Sequence, residues 1–459
     1  MRVLLIQPPL EDFYTTAIRL YPLGLLYAAA VLRRLGVSVQ ILDCLSPLKK
    51  NPLPLPPDFR YLEPFLQRDP LLFKRYYRFG ISDAAIVRSI AESEPDMVGI
   101  ASQFSAYFSS VEKLAALVKT HADVPVFIGG NHASVFADEI RQRAPRIDAV
   151  LAGPAEASLP AFINSRSNGR AIHPETLDWK TLEPAHDLLP EGAYRIGRKN
   201  YVSLTAGRGC PYRCDFCSVR AMFGRGIEYR TPAAVVREME WNYLNRNARI
   251  FNFEDDNLSF DKAWFRQLLK AVSAHPVLKE IELTAMNGMC FPTLDRSLLR
   301  LMRRAGFSRL NLSFVTRNAG LRKRYHRPMP RADFRSIVTA ARELDFMITV
   351  YVIIGLPGQT YAEIRDSIDY LLGLGVLVGP SPFYLPPGSA LFDTLDVPES
   401  IRQNWNLYRS SAFAVETHDL KREQLIELFS YTRRKNLENR SSRASDGLVK
   451  KCVHSAAPD

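Results

Sequence analysis

Short apolar runs alternate with helical patterns along the first third of the chain. The runs of strand length are RVLLIQ, VSVQILD, MVGIAS, VPVFIGG and DAVLAG. Between them lie three segments with the three-to-four-residue apolar spacing of helices, GLLYAAAVLRRLG, DAAIVRSIAESEPD and SSVEKLAALVKTH. This alternation predicts a parallel sheet covered on both faces by helices, with ligands at the carboxyl ends of the strands. A proline-rich stretch, Pro52 to Pro64, is expected to break regular structure.

A second alternating series predicts a second domain. Residues 164–199 carry several prolines and little periodicity, so we interpret them as a linker that follows a first domain of residues 1–163. The strand-like runs beyond the linker are NYVSLTAG, RIFNFE, EIELTAM, RLNLSF, ITVYVIIG and LVGPSPFYL. A helix follows the first of them, with Thr231 as the predicted N-cap and Pro232 at the first helical position. Six β-α units over residues 200–395 predict a partial, open barrel with its chemistry at the carboxyl ends of the strands.

The composition is typical of a soluble globular protein. Of the 459 residues, 47% are hydrophobic and 24% charged, and no apolar run approaches the roughly 20 residues of a membrane helix. No membrane span is therefore predicted. The N-terminus, MRVLLIQPP, lacks the long apolar segment of a signal peptide, so we expect a cytoplasmic protein.

The net charge of +12 is spread along the chain and does not indicate a nucleic-acid partner. Residues 396–459 are predicted to form a helical extension, in which LKREQLIELFSYTRRKNLE is one amphipathic helix. The densest basic group, Arg433 to Arg443, lies in this extension. We interpret it as a solvated helix end and a frayed tail, with RNA or lipid binding as the alternative.

Three cysteines stand within eight residues, Cys210, Cys214 and Cys217, in TAGRGCPYRCDFCSVRA. The other cysteines are scattered, at Cys44, Cys290 and Cys452. Such a distribution is no disulfide framework and favours metal or redox chemistry. Structural zinc sites close with four ligands, whereas an iron-sulfur cubane held by three cysteines leaves one iron open to a further ligand. The trio therefore predicts a [4Fe-4S] cluster, with an incidental zinc loop as the alternative.

The Cys-x3-Cys-x2-Cys spacing, Phe216 before the third cysteine and the position of the loop after a strand resemble the radical S-adenosylmethionine superfamily. The resemblance implies that the open iron chelates the amino and carboxylate groups of S-adenosylmethionine. One electron from the cluster then splits the sulfonium and gives a 5'-deoxyadenosyl radical, which removes a hydrogen atom from the substrate. An electron donor such as flavodoxin or ferredoxin is implied as well.

Further residues for S-adenosylmethionine follow from the same resemblance. Phe216 and the acidic stretch in FNFEDDNLSF, which is Glu254, Asp255 and Asp256, are implied contacts, the acids for the methionine amino group. Asp256 or Asn257 could instead cap the next helix. In VIIGLPGQT the implied adenine contacts are Gly355, Pro357 and Gly358. The fourth strand departs from the family: SFVT has Val315 where relatives commonly have the glutamate of Gly-Ile-Glu-Ser, so no ribose contact is carried over.

The first domain resembles the cobalamin-binding domain that precedes the barrel in one large subgroup. The resemblance rests on YPLGLLYAAAVLRRLGV, IASQFS, FIGGNHAS and LAGPAEASL, and it implies a Rossmann-like (flavodoxin-like) fold. The implied cobalamin-binding residues are Tyr21, Gly24, Ser102, Gln103, Gly129, Gly130, Asn131, Gly153 and Glu156.

The usual Asp-x-His-x-x-Gly loop, which supplies a histidine to cobalt, is replaced by QPPLEDFYTT. A base-off, His-off corrinoid is therefore expected. We interpret His132 as a capping or loop histidine and not as a cobalt ligand. The alternative for the whole domain is a flavodoxin-like regulatory module that binds no corrinoid.

Together the two resemblances imply an enzyme that uses cobalamin, a [4Fe-4S] cluster and S-adenosylmethionine, most simply a C-methyltransferase acting on an unactivated carbon. A non-methylating member (a cyclase, ring-contracting or oxidative enzyme) and a corrinoid-binding or sensing protein with a vestigial barrel are the alternatives. A methylthiotransferase would need further cluster cysteines in the first domain, which offers Cys44 alone.

The substrate class stays open between a small molecule, a lipid, a tetrapyrrole and a peptide. Residues expected near the barrel mouth are Arg324 as a carboxylate contact, Tyr325 with its neighbour His326, and Phe383 and Tyr384 as an apolar border. Core packing is the alternative for Phe383 and Tyr384. A solvated helix end is the alternative for Arg324, Tyr325 and His326.

Overall fold

A computed structural model describes residues 1–14, 21–68, 71–166, 177–327 and 333–454. The strands of the first domain are β1 (Arg2–Gln7), β2 (Leu10–Asp12), β3 (Ser38–Asp43), β4 (Lys50–Leu53), β5 (Tyr76–Phe79), β6 (Met97–Ala101), β7 (Val126–Gly129) and β8 (Ala149–Leu151). Its helices are α1 (Leu23–Arg34), α2 (Glu63–Arg68), α3 (Asp83–Ser93), α4 (Phe108–His121), α5 (Asn131–Val135), α6 (Ala137–Arg143) and α7 (Ala155–Asn164).

The first domain is built on a parallel sheet of strand order β3-β1-β6-β7-β8. Its central strands are continuous apolar runs because helices cover both faces, and in β1 every residue after Arg2 is buried. The structure confirms the predicted alternation of strands and helices. The proline-rich stretch differs from the prediction, because β4, the 3-10 helix Pro57–Leu62 and α2 occupy it, and β4 joins β2 and β5 in a small antiparallel sheet.

The second domain is an incomplete barrel. Its strands are β9 (Arg195–Ile196), β10 (Lys199–Leu204), β11 (Gly207–Gly209), β12 (Ile227–Tyr229), β13 (Ala248–Phe253), β14 (Glu282–Thr284), β15 (Arg309–Val315), β16 (Met347–Ile354) and β17 (Leu377–Pro382). Its helices are α8 (Val219–Phe223), α9 (Pro232–Arg246), α10 (Lys262–Ala274), α11 (Arg296–Ala305), α12 (Ala319–Arg324), α13 (Asp333–Glu343) and α14 (Tyr361–Gly373).

Six parallel strands form the wall of this barrel, as predicted. β10, β13 and β14 pair in one set and β15, β16 and β17 in another. Single parallel bridges, Leu283 to Phe307 and Met289 to Leu312, join the two sets. The predicted cap is confirmed where the Thr231 side chain accepts a hydrogen bond from the Ala234 backbone at the start of α9.

The last part of the chain contacts both domains. It contains α15 (Ala390–Thr394), α16 (Glu399–Arg402) and α17 (Arg422–His454). α17 lies on the last barrel strand, where the Asn436 side chain bonds the backbone of Val378. Before α17, Trp405 and Tyr408 pack on Phe136 of the first domain. Among the described residues, every helix is too short or too polar to cross a bilayer.

Candidate active site

The three cysteines lie on a hairpin that leaves the barrel wall at the carboxyl end of β10. β11 and β12 pair in antiparallel fashion and enclose the cysteine loop and α8, and we call residues 207–229 the cysteine hairpin. Gly209 closes it with a positive φ of 90°. A Cβ on Gly209 would stand 2.5 Å from the Gly226 carbonyl oxygen, so only glycine fits there.

The thiols of the trio lie close together and partly shielded from solvent. The backbone N–H of Cys217 donates to the Cys214 carbonyl over 3.1 Å. Burial raises the pKa of Cys217 to about 11 and also raises the pKa of Cys210, and the charges of neighbouring thiols act in the same direction. Among the described residues, no three His, Cys, Asp or Glu side chains converge on one metal-ion position. A cubane does not require such convergence, because each cysteine binds a different iron.

Positive and polar groups surround these thiols. Nη1 of Arg327 lies 3.8 Å from the Cys214 sulfur, its Nη2 donates to the Ser313 hydroxyl over 3.1 Å, and its buried Nε has no hydrogen-bond partner. Nδ2 of Asn257 lies 3.5 Å from the Cys210 sulfur. A buried guanidinium and an amide donor beside the sulfurs suit an anionic iron-sulfur cluster. The donor set therefore fits a cluster held by three cysteines.

A fourth thiol, Cys290, lies near this group. Burial raises the pKa of Cys290, and the charge of Arg327 and the neighbouring Tyr212 side chain oppose that shift. In the sequence, Cys290 stands more than seventy positions after the trio and was counted as scattered. No spacing rule could have found it, because its place depends on how the loop after β14 folds against the cysteine hairpin.

Two of the predicted acids hold the base of the hairpin. Asp255 is buried and accepts from the backbone N–H groups of Ala206 (3.1 Å) and Gly207 (2.5 Å), and Asp256 accepts from Gly209 over 3.0 Å. Burial raises the pKa of Asp255 to about 8. The predicted contact of Asp255 with an amino group does not fit this geometry, because backbone groups already occupy the carboxylate.

The alternative role of Asp256 or Asn257 as a helix cap is wrong. The next helix, α10, begins at Lys262, and Asp261 caps it by accepting from the backbone N–H groups of Ala263 and Trp264. Asn257 instead directs its amide toward the Cys210 sulfur.

Glu254 is held at the carboxyl end of β13 by side chains from three segments. Asn252 on the same strand donates to Oε1 over 2.5 Å, Ser203 on β10 donates to Oε1 over 3.3 Å, and Asn287 after β14 donates to Oε2 over 3.0 Å. Glu254 is partly exposed, unlike Asp255. A preorganised, partly exposed carboxylate suits an ammonium group. These donors could not be predicted as partners of Glu254, because Ser203 and Asn287 lie on other segments and Asn252, although it stands in the same motif, has no sequence signal for this contact.

The segment after the fifth barrel strand meets the cysteine hairpin. Gly355 and Gly358 have positive φ values of 94° and 83°, and Oε1 of Gln359 accepts from the backbone N–H of Gly355 over 2.9 Å. The Tyr325 hydroxyl donates to the Pro357 carbonyl. The Phe216 ring lies edge-on to the Tyr325 ring, with 6.2 Å between centroids. Predicted S-adenosylmethionine contacts from two distant segments are thus linked through one tyrosine.

The residues expected at the barrel mouth separate into core and surface positions. Tyr325 and Phe383 are buried in one apolar cluster, and Tyr384 packs against the core of the first domain, so core packing accounts for these three. Nη1 of Arg324 comes within 3.2 Å of a Cβ built on Gly358. His326 is exposed and pairs with Asp215 over 2.9 Å. The alternative of core packing therefore accounts for the burial of Phe383.

Val315, which stands in the place of the family glutamate, is buried and has a φ of 71°. This left-handed conformation is strained for a β-branched residue. The side chain joins the same apolar cluster as Leu356 and Phe383. The fourth strand therefore contributes packing at this point where relatives have a carboxylate.

Five of the predicted cobalamin residues line the carboxyl edge of the first sheet. Gly130 has a φ of 121°, and a Cβ there would lie 2.7 Å from the Ser102 carbonyl oxygen. The Ser102 hydroxyl is buried without a partner, and space is open beside Gly129, where a Cβ would meet only Leu151 O at 3.8 Å. Gln103 and Asn131, which follow Ser102 and Gly130 in the sequence, are exposed.

A sixth, Gly153, lies in the loop after β8. Its φ is 82°, and a Cβ there would have no neighbour within 4 Å. The orphaned hydroxyl of Ser102 and the open, side-chain-free surface along this edge fit the tail of a corrinoid.

The other predicted cobalamin residues lie elsewhere. The Tyr21 hydroxyl bonds Nδ1 of His186 (2.6 Å), whose Nε2 bonds Glu238 (2.8 Å), all buried between the first domain, the linker and the barrel. Gly24 is exposed in the first turn of α1. Glu156 forms an ion pair with Arg208. The predicted cobalamin contact of Tyr21 does not fit, because its hydroxyl is bonded to His186. In Glu156, Arg208 engages one carboxylate oxygen, and the other, Oε2, is buried without a hydrogen-bond partner.

The cysteine hairpin of the barrel contacts the carboxyl edge of the first sheet. Arg208 belongs to β11 and Glu156 to the first turn of α7, so their ion pair joins the cysteine hairpin to the loop after β8. Nearby, a Cβ on Gly388 would lie 2.6 Å from the Cβ of Ala221 on α8 and 3.6 Å from Val135 on α5. The carboxyl edges of both sheets therefore face each other.

Comparisons with known proteins agree with this arrangement. The family model of the Radical SAM superfamily matches residues 204–371, and the B12 binding domain matches residues 74–163. The chain resembles a cytidylyl-2-hydroxyethylphosphonate methyltransferase of Streptomyces wedmorensis, with 26% identity over 433 residues covering 80% of this chain and 76% of the relative. It also resembles an uncharacterised methyltransferase of Pyrococcus horikoshii, with 21% identity over 93% of this chain and 90% of the relative.

A solved structure shares the fold. It is the radical S-adenosylmethionine methyltransferase TsrM from Kitasatospora setae with cobalamin and a [4Fe-4S] cluster bound. The TM-score is 0.64 at 17% identity, over 89% of this chain and 81% of that chain. The order of a first Rossmann-like sheet and a following open barrel, predicted from the sequence, is thereby confirmed.

Proposed function

Since the chain belongs to the radical S-adenosylmethionine enzymes that carry a B12-binding domain, we propose that it methylates an unactivated carbon of its substrate. The observation that carries this proposal is the contact between the cysteine hairpin and the ligand edge of the first domain, formed by Arg208 and Glu156. Methyl transfer to a carbon radical requires the two cofactors to act on one substrate. The relative with 26% identity is a methyltransferase by name, which supports the same conclusion.

The described residues would hold both groups. Cys210, Cys214 and Cys217 would bind three irons of a [4Fe-4S] cluster, and the loops of Ser102 and Gly130 would border the corrinoid tail. When bound, the cluster with S-adenosylmethionine supplies a carbon radical, and the corrinoid supplies a methyl group. Glu254, fixed by Asn252, Ser203 and Asn287, would receive the ammonium group of S-adenosylmethionine.

Other side chains shape the site around these groups. The positive φ angles of Gly355 and Gly358 set the backbone course of the segment that would lie along the adenine. Phe216, next to the third cysteine in the sequence, packs with Tyr325 in one apolar cluster, and this aromatic surface would help to exclude water from the place where a radical would form. These residues position and shield the reactants.

The proposal includes a corrinoid without a histidine ligand to cobalt. His132 is the histidine beside the predicted cobalamin loops, and it is enclosed by aromatic rings with Nδ1 bonded to Ser105 over 2.8 Å. Its buried Nε2 faces those rings without a partner. An imidazole enclosed in this way would not be available as a ligand to cobalt unless these rings unpacked.

Anaerobic reconstitution with cobalamin, S-adenosylmethionine and a reductant tests the proposal. We expect the wild-type protein to form both 5'-deoxyadenosine and S-adenosylhomocysteine. Alanine at Cys210, Cys214 and Cys217 together should abolish 5'-deoxyadenosine and lower bound iron while corrinoid absorbance is retained. Cys44→Ala, a buried thiol of the first domain, is the matched control and should keep both products.

Two outcomes contradict the proposal. Formation of 5'-deoxyadenosine by the triple variant would remove the role of the trio. Wild-type turnover that yields 5'-deoxyadenosine with no methylated corrinoid and no S-adenosylhomocysteine would exclude methyl transfer and favour a non-methylating enzyme.

A further inference from the structure

The ion pair between Arg208 and Glu156 is nearly buried. Nη1 of Arg208 lies 2.5 Å from Oε1 of Glu156, and the two side chains are 16% and 11% exposed. Oε2 of Glu156 is buried without a hydrogen-bond partner. Each charge therefore depends on the other, because a buried charge without its partner is strongly destabilising.

The surroundings fix the guanidinium in place. Arg208 stacks on Trp179 of the linker and on Tyr27 of α1, with 4.3 and 4.9 Å to the ring centroids. Nε1 of Trp179 donates to Glu228, which faces Arg208 across the β11–β12 pair. Residues of the first domain, the linker and the hairpin thus converge on one side chain, two positions before Cys210.

The hairpin base is consequently held from two sides. Asp255 and Asp256 bind its backbone from the barrel side, and Glu156 binds its side chain from the first domain. Glu156 lies in the first turn of α7, three residues after Gly153 of the loop that borders the predicted corrinoid edge. A displacement of that loop must therefore move Arg208 or break the pair.

We propose that Glu156 is a positioning residue that couples the corrinoid edge of the first domain to the cysteine hairpin. Through Arg208, a corrinoid seated on the loops of Gly130 and Gly153 orders the hairpin that carries Cys210, Cys214 and Cys217. The coupling rests on the proposed function for its ligand. It assigns Glu156 a role distinct from cobalamin binding itself.

Hydrogen exchange on the full-length protein tests the coupling without turnover. In the protein without cobalamin, Glu156→Gln should raise the exchange rate of amides in residues 207–229 about tenfold or more. Added hydroxocobalamin should slow exchange of these amides in the wild-type protein and not in the variant, while corrinoid absorbance shows that both bind it. Glu156→Asp, which keeps the charge, should restore part of the protection.

The control is Asp366→Asn, which removes an exposed partner of Arg317 far from the hairpin in the sequence. It should leave the exchange rate of the hairpin amides unchanged, both without and with hydroxocobalamin. Equal exchange rates of the hairpin amides in wild type and Glu156→Gln would overturn the inference. So would an equal slowing of that exchange by hydroxocobalamin in the two proteins. Loss of corrinoid binding in Glu156→Gln with normal hairpin exchange would return Glu156 to the cobalamin site. Failure of the wild-type protein to bind cobalamin would instead overturn the proposed function, and the exchange comparison without cobalamin would still decide whether Glu156 holds the hairpin.

Discussion

The imidazole of His132 illustrates how packing sets the property of a single residue. The rings of Phe108, Phe136 and Trp405 surround it at centroid distances of 4.6, 5.1 and 4.7 Å. Burial lowers the pKa of His132 to about 3. The side chain is therefore neutral in the folded protein at neutral and mildly acidic pH.

A pH dependence of stability follows. The unfolded chain binds a proton at this histidine near pH 6.5, whereas the folded protein does not until about pH 3, so acidification favours the unfolded state. Between pH 7 and pH 5 this histidine should reduce the free energy of unfolding by about 2 kcal/mol. Urea unfolding of the wild type and His132→Gln at both pH values measures it, and the variant should lose less stability on acidification.

His121→Gln is the control for this comparison, because His121 is exposed at the end of α4. It should keep the wild-type pH dependence. An identical loss of stability on acidification in His132→Gln and wild type would show that the imidazole is accessible to protons in the folded state.

At the scale of residues, the sequence could predict those residues that a local sequence motif identifies. Cys210, Cys214 and Cys217 belong to that class, and so do the glycines with positive φ. Cys290 and Arg327 could not be predicted, because they reach the thiols through folding of separate loops. Asp255 was assigned to a ligand because composition cannot tell a carboxylate that faces a cavity from one that binds backbone N–H groups.

At the scale of elements, the turn from β7 into α5 depends on one glycine. Gly130 has φ 121° and ψ −173°, a region open to glycine alone, and a Cβ would collide with the Ser102 carbonyl. Gly130→Ala should therefore cost about 1–3 kcal/mol of stability and weaken corrinoid binding. Thermal unfolding and corrinoid absorbance measure both effects.

Gly24→Ala is the matched control. Gly24 lies in the first turn of α1, and nothing stands within 4 Å of its Cβ position. Alanine should raise stability there by up to about 1 kcal/mol. Equal stability of Gly130→Ala and the wild type would mean that the turn relaxes into another conformation.

Most elements could be predicted because each has its own apolar periodicity and its own start or stop residues. β1, β6 and β7 are continuous apolar runs, and Thr231 with Pro232 marks the start of α9. The structure of the stretch Pro52 to Pro64 could not be predicted. β4 pairs with β5 more than twenty residues away, and prolines at a sheet edge leave no pattern in the sequence.

At the scale of the whole molecule, the chain returns to its first domain after the barrel. Arg409 is buried 3.4 Å from Asp12, donates to the Glu11 carbonyl over 2.7 Å and lies over the rings of Phe59 and Tyr107. The Asp12 carboxylate also accepts from the Tyr107 hydroxyl. This pairing could not be predicted, because no local pattern connects positions so far apart.

Arg409→Ala should destabilise the first domain by about 3–5 kcal/mol, because Asp12 would remain buried without its cation. Arg317→Ala removes a pair whose side chains are exposed to solvent and should cost less than about 1 kcal/mol. The first urea unfolding transition measures the difference. Similar midpoints for the two variants would show that Asp12 is neutralised or hydrated when Arg409 is absent.

The return of the chain also determines the order of events during synthesis. The Ser411 hydroxyl donates a hydrogen bond to the Asp12 carboxylate, 399 positions away in the sequence. Trp405 completes the aromatic enclosure of His132. A nascent chain emerges N-terminus first, so the sheet of the first domain can form early while its carboxylate and its histidine wait for partners not yet translated. The domain that is made first is therefore completed last, and the ribosome releases a finished corrinoid-binding fold only after the whole barrel has been synthesised.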